Sequence, residues 1–413
     1  MVLYYQEPIA LVDGHGRHVT DAEGNEYLDF FGGILTTMTG YNVPDVVAAI
    51  REQAGRMLHS STLYLIENQI KLAEQIAELS GLPDAKVFFT NSGTEANDAA
   101  LMIATQRRRS NQVLAIRGSY HGKSHSTVAI TGQRNWSSTS NSPFNVIYVH
   151  GPYKLRSPFG KLSDEEYIKA CTADLENMIE VGTAGDVACL IAEPIQGVGG
   201  FATPPDGFFA AFKEVLDRQG ILFISDEVQT GWGRTGEHFW GFQAHGIVPD
   251  MITFAKGLGN GVALAGVIAT AELMDSLPAN SISTFGGNPL STAAGLANLD
   301  YLLENDLQTN AYKVGNRLKS NLDGLAERSE IVGEVRGKGL MLGVELVHRG
   351  SPDPNPAAAA AVMEEAKKEG LLIGKGGLYG NTLRIAPPLS LTEEEADEGY
   401  EKLAKAIERV EGS

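Results

Sequence analysis

Between about residues 46 and 300 the chain alternates short, unbroken apolar runs with longer stretches of mixed polarity. The runs are Val87–Phe89, Val113–Ile116, Val187–Ala192, Ile221–Ser225, Met251–Phe254 and Gly266–Ala269. Unbroken runs, rather than strict apolar/polar alternation, describe strands covered on both faces. The stretches between them predict helices at Asn97–Arg109, Ser163–Val181 and Phe208–Arg218. Such alternation predicts an α/β fold with a mainly parallel, doubly covered sheet.

The flanking regions read differently. In residues 1–45, Gly16–Thr20, Asp21–Asn25 and Glu26–Phe30 spell strand, turn, strand. Residues 301–413 carry helices, with strands expected at Leu340–Val347 and Leu383–Ala386 and a polar linker, Arg349–Pro356, between them. Ala357–Ala361 is helix-forming, and Thr392 with Glu395 has the spacing of a capping box that starts the last helix. No internal repeat is visible.

With 413 residues, 43% of them hydrophobic, the chain can bury a large core and is too long for one ordinary domain. A net charge of -18 repels phosphodiester backbones and argues against a nucleic-acid partner. A single phosphate can still be held locally by backbone amides at a helix start. Cys171 falls on a predicted helix and Cys189 in an apolar strand, so neither a disulfide framework nor a cysteine metal site is expected. The N-terminus lacks a basic leader, and no apolar run is long enough to span a membrane. A soluble, cytoplasmic protein is expected.

In parallel α/β sheets ligands collect beyond the carboxyl ends of the strands, so the residues that follow each apolar run are informative. After Val87–Thr90 comes Asn91-Ser92-Gly93-Thr94-Glu95-Ala96-Asn97, a small turn opening a helix. Alone it is an ordinary N-cap, but it also suits a phosphate. After Val113–Ile116 comes Gly118-Ser119-Tyr120-His121-Gly122-Lys123, where an aromatic ring could stack on a planar group. Ile221–Ser225 ends on Asp226, and a carboxylate at the tip of a buried strand needs a cation beside it. A protonated pyridine nitrogen would serve, and would make its ring an electron sink. Met251–Ala255 ends on Lys256, where partial desolvation lowers an amine's pKa and favours imine chemistry.

Together these segments resemble the class III aminotransferases of the fold-type I pyridoxal-phosphate superfamily. The likeness rests on Leu222–Gly231 through Pro249–Lys256, with Asn91–Asn97, Tyr120-His121-Gly122, Glu193-Pro194-Ile195-Gln196-Gly197 and Thr284–Pro289 in support. It runs from about Gly16 to Leu389 and looks nearest to alanine–glyoxylate-type and ω-aminotransferases. It implies a large cofactor domain over residues 46–300 and a smaller α+β domain built from both chain ends. It also implies a homodimer with shared active sites, an amino donor and a 2-oxo acid acceptor.

The resemblance assigns roles residue by residue. Lys256 would carry pyridoxal 5'-phosphate as an imine, and Asp226 would face the pyridine nitrogen. Tyr120 and Val228 would sandwich the ring, with Gln229 on its phenolic oxygen. Gly93 and Thr94 would bind the phosphate, joined by Thr284 from the partner subunit. Arg384, Glu193 and Ile34 would meet the substrate: Arg384 grips the α-carboxylate, and Glu193 covers Arg384 in one half-reaction. Two departures stand out. Gly40-Tyr41-Asn42-Val43-Pro44 replaces a Gly-His-x-His-Pro stretch, and Lys123 stands where 4-aminobutyrate aminotransferases have arginine.

Two other readings compete. Gly118–Ser124 followed by the Asp226-Glu227 strand end mimics a P-loop ATPase, but that loop needs a longer spacing than Ser119-Tyr120-His121 between its glycines. A decarboxylase, racemase or aminomutase would share Lys256 and Asp226, because a fold does not dictate its reaction.

Overall fold

A computed structural model describes residues 3–412. Its centre is a seven-stranded sheet. In spatial order the strands are Ala85–Thr90, Ala265–Thr270, Met251–Phe254, Leu222–Asp226, Cys189–Ala192, Gln112–Ile116 and Asn145–Val149. Ala265–Thr270 runs antiparallel to both neighbours, and the other pairings are parallel. The apolar runs account for six of these strands. The edge strand Asn145–Val149 is missing from the sequence reading because it is only partly buried and its pattern is short.

Helices cover both faces, as the unbroken runs require. Gly93–Arg108 packs on one side through Ala100, Leu101, Ile103 and Ala104. Asp164–Gly182 and Phe208–Gln219 pack on the other, through Tyr167, Leu175, Phe208 and Phe212. Asp164–Gly182 is opened by a complete capping box between Ser163 and Glu166. Both cysteines are buried and free.

The chain ends come together in two smaller sheets. Leu11–His15, His18–Asp21 and Glu26–Asp29 form a meander, and Leu371–Leu372 pairs in parallel with Glu26–Asp29. Val332–Lys338, Met341–Leu346, Thr382–Ile385 and Gly374–Gly376 form the second sheet. The final helix, Glu393–Glu411, starts at the expected Thr392–Glu395 capping box. Among the described residues no helix is long and apolar enough to cross a membrane.

A buried ionic cluster fastens the second small sheet to the large one. Glu345, fully buried, accepts from Tyr153 Oη at 2.5 Å, Arg156 Nη2 at 2.7 Å, Arg336 Nη1 at 2.6 Å and Asn381 Nδ2 at 3.2 Å. Arg336 also donates to the Gly200 carbonyl and to Thr382 Oγ1, and lies over the Tyr153 ring. Burial pushes the Glu345 carboxyl up, but Arg336, Tyr153 and Arg156 outweigh it and hold the group below the usual range. Removing one member of such a cluster strands the others. Glu345→Ala should therefore destabilise the fold by about 3–5 kcal/mol. Denaturant unfolding would show this, and a loss below about 1 kcal/mol would mean the cluster does not fasten the sheets.

Candidate active site

A cavity of about 430 Å³, a size suited to a small cofactor with its substrate, opens at the carboxyl ends of the parallel strands. Thr90 leads into Ser92 and Gly93, Ile116 into Tyr120 and His121, and Ala192 into Glu193. Asp226 ends its own strand, and Phe254 leads into Ala255 and Lys256. The opposite wall is Gly261–Leu264, which feeds the one reversed strand. Of the expected residues, Gly93, Thr94, Tyr120, Glu193, Asp226, Val228, Gln229 and Lys256 all line this cavity.

Two carboxylates stand side by side at the strand end, and the structure gives them opposite situations. Glu227 accepts four hydrogen bonds, from Ser225 Oγ, Thr230 Oγ1, Gly241 N and Phe242 N. That saturates its roughly four lone-pair directions, and Glu227 holds the following loop. Asp226, 3% exposed, accepts three: Asn97 Nδ2 and His121 Nδ1 on Oδ2, each at 2.8 Å, and Val228 N on Oδ1 at 3.2 Å. It retains acceptor capacity on the cavity side, as a pyridinium partner requires.

Asn97 and His121 are functional residues that the sequence reading passed over. Asn97 is locked by donating also to the His121 carbonyl and by accepting from Thr253 Oγ1. His121 Nε2 is buried and has no hydrogen-bond partner among the described residues. The available signal was the position of Asn97 one helical turn after Gly93, on the face turned to the strand ends.

Helix Gly93–Arg108 points its amino end into the cavity, and its first N–H groups have no carbonyl a turn behind them. The Thr94 hydroxyl is already engaged, with Lys123 N, Ser124 N and Thr127 Oγ1. What Thr94 can offer a phosphate is therefore its backbone N–H, at the positive end of the helix dipole. Gly93 is closely packed: a Cβ there would stand 3.1 Å from Val228 Cγ2, a contact that Val228 would have to yield to. Tyr120 is propped edge-on against Trp136, 5.5 Å between centroids.

Lys256 sits in a left-handed backbone conformation, φ 43°, at the start of a short 3-10 turn. Burial, reinforced by the Arg384 charge, lowers its pKa to about 8; Asp226 and Glu193 oppose the shift without cancelling it. Glu193, 4% exposed, accepts from Tyr120 N at 2.9 Å and Gly197 N at 2.8 Å. Desolvation raises its carboxyl to about 7, against the pull of His121 and with the push of Asp226.

Arg384, on strand Thr382–Ile385, is 2% exposed. Its guanidinium lies 5.1 Å from the Phe31 ring and 4.7 Å from that of Phe201. Its Nη2 donates to Gln229 Oε1 at 2.8 Å, and Nε has no partner among the described residues. In this arrangement the arginine's neighbour is the neutral Gln229, and Glu193 is held by backbone amides instead. Burial lowers the Arg384 pKa, but a guanidinium stays charged.

Three expected residues do not line the cavity: Arg384, which is bonded to the lining residue Gln229, and Ile34 and Thr284. Ile34 is 43% exposed, and Thr36 stands on the wall instead. Thr284 is exposed, beside Ser283, whose hydroxyl accepts from Asn91 Nδ2 at 3.5 Å. Lys123 lies at the cavity wall with its ammonium 5.3 Å from the Trp136 ring. Among the described residues no cluster could hold a metal ion.

A depressed lysine, a carboxylate with an acceptor site left and a helix start face one small cavity on a fold-type I scaffold, a combination that suits pyridoxal phosphate. The chain belongs to the class-III aminotransferases, whose pattern it matches over residues 4–407. It is 44% identical to the mitochondrial alanine–glyoxylate aminotransferase 2 homolog 2 of Arabidopsis thaliana, over 96% of this chain and 82% of the relative. It is 37% identical to an alanine/serine racemase of Pyrococcus horikoshii, over 97% and 86%. A thermostable (S)-enantioselective omega-transaminase from Thermomicrobium roseum superposes with a TM-score of 0.91 at 36% identity, covering 98% of this chain and 93% of that one. The protein is thus a pyridoxal-phosphate-dependent aminotransferase, and the P-loop reading falls.

The Lys256 pKa can be read directly. In cofactor-free protein, reductive methylation of Lys256 should rise steeply from pH 7 to 8 and level off above about 9, once the amine is neutral. Surface lysines should keep rising beyond pH 10. Peptide-resolved mass spectrometry would show it, and a Lys256 profile matching theirs would refute the assignment.

Proposed function

We propose that this aminotransferase moves an amino group from an amino acid or ω-amine donor to a 2-oxo acid, in two half-reactions of a ping-pong cycle. The observation that carries the acceptor class is Arg384. A desolvated guanidinium paired only with a neutral amide is incompletely compensated, and a substrate carboxylate supplies the missing charge with bidentate geometry. Pyruvate, glyoxylate and 2-oxoglutarate all bring such a group. Likeness to the alanine–glyoxylate relative makes alanine and glyoxylate the first pair to try.

Pyridoxal phosphate, when bound, supplies an electron sink for the charge left at the substrate Cα. Asp226, held by Asn97 and His121, keeps a proton on the pyridine nitrogen. Gly93 and Thr94 hold the phosphate through backbone N–H groups. Tyr120 and Val228 confine the ring between them. Lys256, with a pKa of about 8, takes the proton from Cα and returns it near neutral pH. Gln229 spans the ring site and Arg384, and Glu193 stands ready as a counter-charge when a substrate brings no carboxylate.

A racemase reading draws on the Pyrococcus relative. One assay separates the two. Incubated with L-alanine and glyoxylate, the enzyme should form pyruvate and glycine in equal amounts, and Lys256→Ala should lower the rate by about 10²–10⁴-fold or more. Accumulation of D-alanine with no pyruvate would replace the transaminase reading. Borohydride treatment of the loaded enzyme should leave the cofactor mass on the Lys256 peptide, not on Lys123 or Lys375.

The dimer belongs to the same proposal. Leu63, Tyr64 and Leu65 are 80%, 72% and 91% exposed, and Ile282 and Phe285 are exposed in the loop that carries Thr284. His59 packs on Phe285 at 5.3 Å, so the two segments adjoin. An apolar surface of this kind beside the cavity suits burial against a second copy. Mixing Thr284→Ala and Lys256→Ala subunits should yield hybrids with one intact site and restored activity. No recovery after confirmed subunit exchange would remove the shared-site proposal.

A further inference from the structure

The short turn that begins at Lys256 runs against the backbone preference of its first residue. Lys256, which opens the turn Lys256–Gly259, and Asn260, which follows it, both have a φ of 43°. Asparagine visits the left-handed region readily, whereas a lysine stays there only when its surroundings hold it. The preceding residue, Ala255, offers the turn no side-chain cap. The hold must come from elsewhere in the chain.

It comes from the helix Pro289–Glu304, which lies against the turn. Asn298 on that helix is fully buried, and its Nδ2 donates to the Gly257 carbonyl at 2.9 Å and to the Leu258 carbonyl at 3.0 Å. Its Oδ1 accepts from Thr39 Oγ1 at 2.5 Å, so a second buried residue orients the carboxamide. Three residues earlier Gly295 gives the clearance: a Cβ there would stand 2.4 Å from Leu264 Cδ2. Asn260 joins the same segment from its other end. It accepts from Thr39 N at 3.1 Å and donates to the Gly40 carbonyl at 3.0 Å. Gly257 must approach Met38 closely, because a Cβ on it would lie 2.6 Å from Met38 Sδ. Residues 38–40 are in turn tied to the chain beyond Arg384, where Leu389 N donates to the Met38 carbonyl and Ser390 Oγ to the Thr39 carbonyl, both at 2.7 Å.

Asparagine is a poor helix former, and burying its carboxamide is unfavourable unless the polar atoms are bonded. Asn298 places both amide hydrogens on consecutive carbonyls of one turn, which a hydrophobic side chain at that position could not do. Resting on the reading of Lys256 as the proton-moving amine, we infer that Asn298 is a positioning residue for Lys256: its carboxamide, aimed by Thr39, holds the turn in the left-handed conformation that keeps the amine in the cavity. Without that hold the turn relaxes toward ordinary backbone angles, water reaches the amine, and its distance from the reacting carbon is no longer set.

The test compares Asn298→Leu, of similar volume and without polar atoms, with Thr39→Val, which removes only the hydroxyl that aims the carboxamide. In cofactor-free protein, the pH midpoint for reductive methylation of Lys256 should move up from about 8, by about one unit in Asn298→Leu as the amine gains water, and by less in Thr39→Val. In the loaded enzyme kcat with L-alanine and glyoxylate should fall about 10–100-fold in Asn298→Leu, the scale of a misplaced catalytic group, with KM for glyoxylate little changed. An unchanged Lys256 midpoint overturns the proposal even if thermal unfolding is lowered, because Asn298 would then only prop the helix against the turn. A kcat equal to that of the wild type overturns it as well. If Asn298→Leu does not fold, the midpoint in Thr39→Val decides. If borohydride marks a lysine other than Lys256 in the loaded wild type, the reading of the site fails, while the methylation comparison, made without cofactor, still decides whether Asn298 sets Lys256.

Discussion

A carboxyl group buried at the end of a strand is the constraint around which the site is arranged. Asp226 is removed from water, so its charge must be matched by donors or by a cation. Asn97 reaches it from the helix whose amino end lines the cavity, and His121 reaches it from the loop after strand Gln112–Ile116. Those two hydrogen bonds fix the carboxylate relative to the start of helix Gly93–Arg108. Lys256 lies two residues beyond the end of the adjacent parallel strand, Met251–Phe254, which pairs through Asp226 and Thr253. Its height above the sheet follows from the same register.

The second centre of charge, Arg384, comes from a different sheet and solves its burial differently. It is placed between two aromatic faces and next to a carboxamide, an arrangement that tolerates a guanidinium without neutralising it. Gln229, three residues beyond Asp226, links the two centres. Arg384 in turn depresses the lysine, since it is the largest electrostatic cause after burial. Arg384 and Lys256 are thus coupled through space, although they belong to separate sheets.

That coupling requires the sheets to be held in register, and the Glu345 cluster does this two residues from the arginine. Thr382, bonded to Arg336, stands on the same strand as Arg384, while Tyr153 and Arg156 come from the large sheet's edge. Tyr4 and Tyr5 brace the neighbouring residues 373–376 by donating to the Lys375 and Ile373 carbonyls. The surroundings of Arg384 are therefore built from three chain segments packed together rather than from one residue's neighbours in sequence.

Much of this was legible in the sequence. Unbroken apolar runs announce covered parallel strands because a strand buried on both faces has no polar side to show, and Asp226 and Lys256 are conspicuous because such runs rarely end on a charge. The half-buried edge strand Asn145–Val149 lacked that pattern and escaped notice. Sequence also could not rank neighbours of like chemistry. Asp226 and Glu227 are equivalent as letters, and only the fold, which spends three donors of the loop and one of the strand on Glu227, ties one up and leaves the other with acceptor capacity. The partner of Arg384, the clamp formed by Asn97 and His121, and the packing of Tyr4 on Phe31 are contacts between residues far apart in the chain. Hydrophobic pattern and strand-end chemistry are local and can be read along the sequence; which side chains share a buried pocket depends on sheet order and register, and the tertiary structure alone decides it.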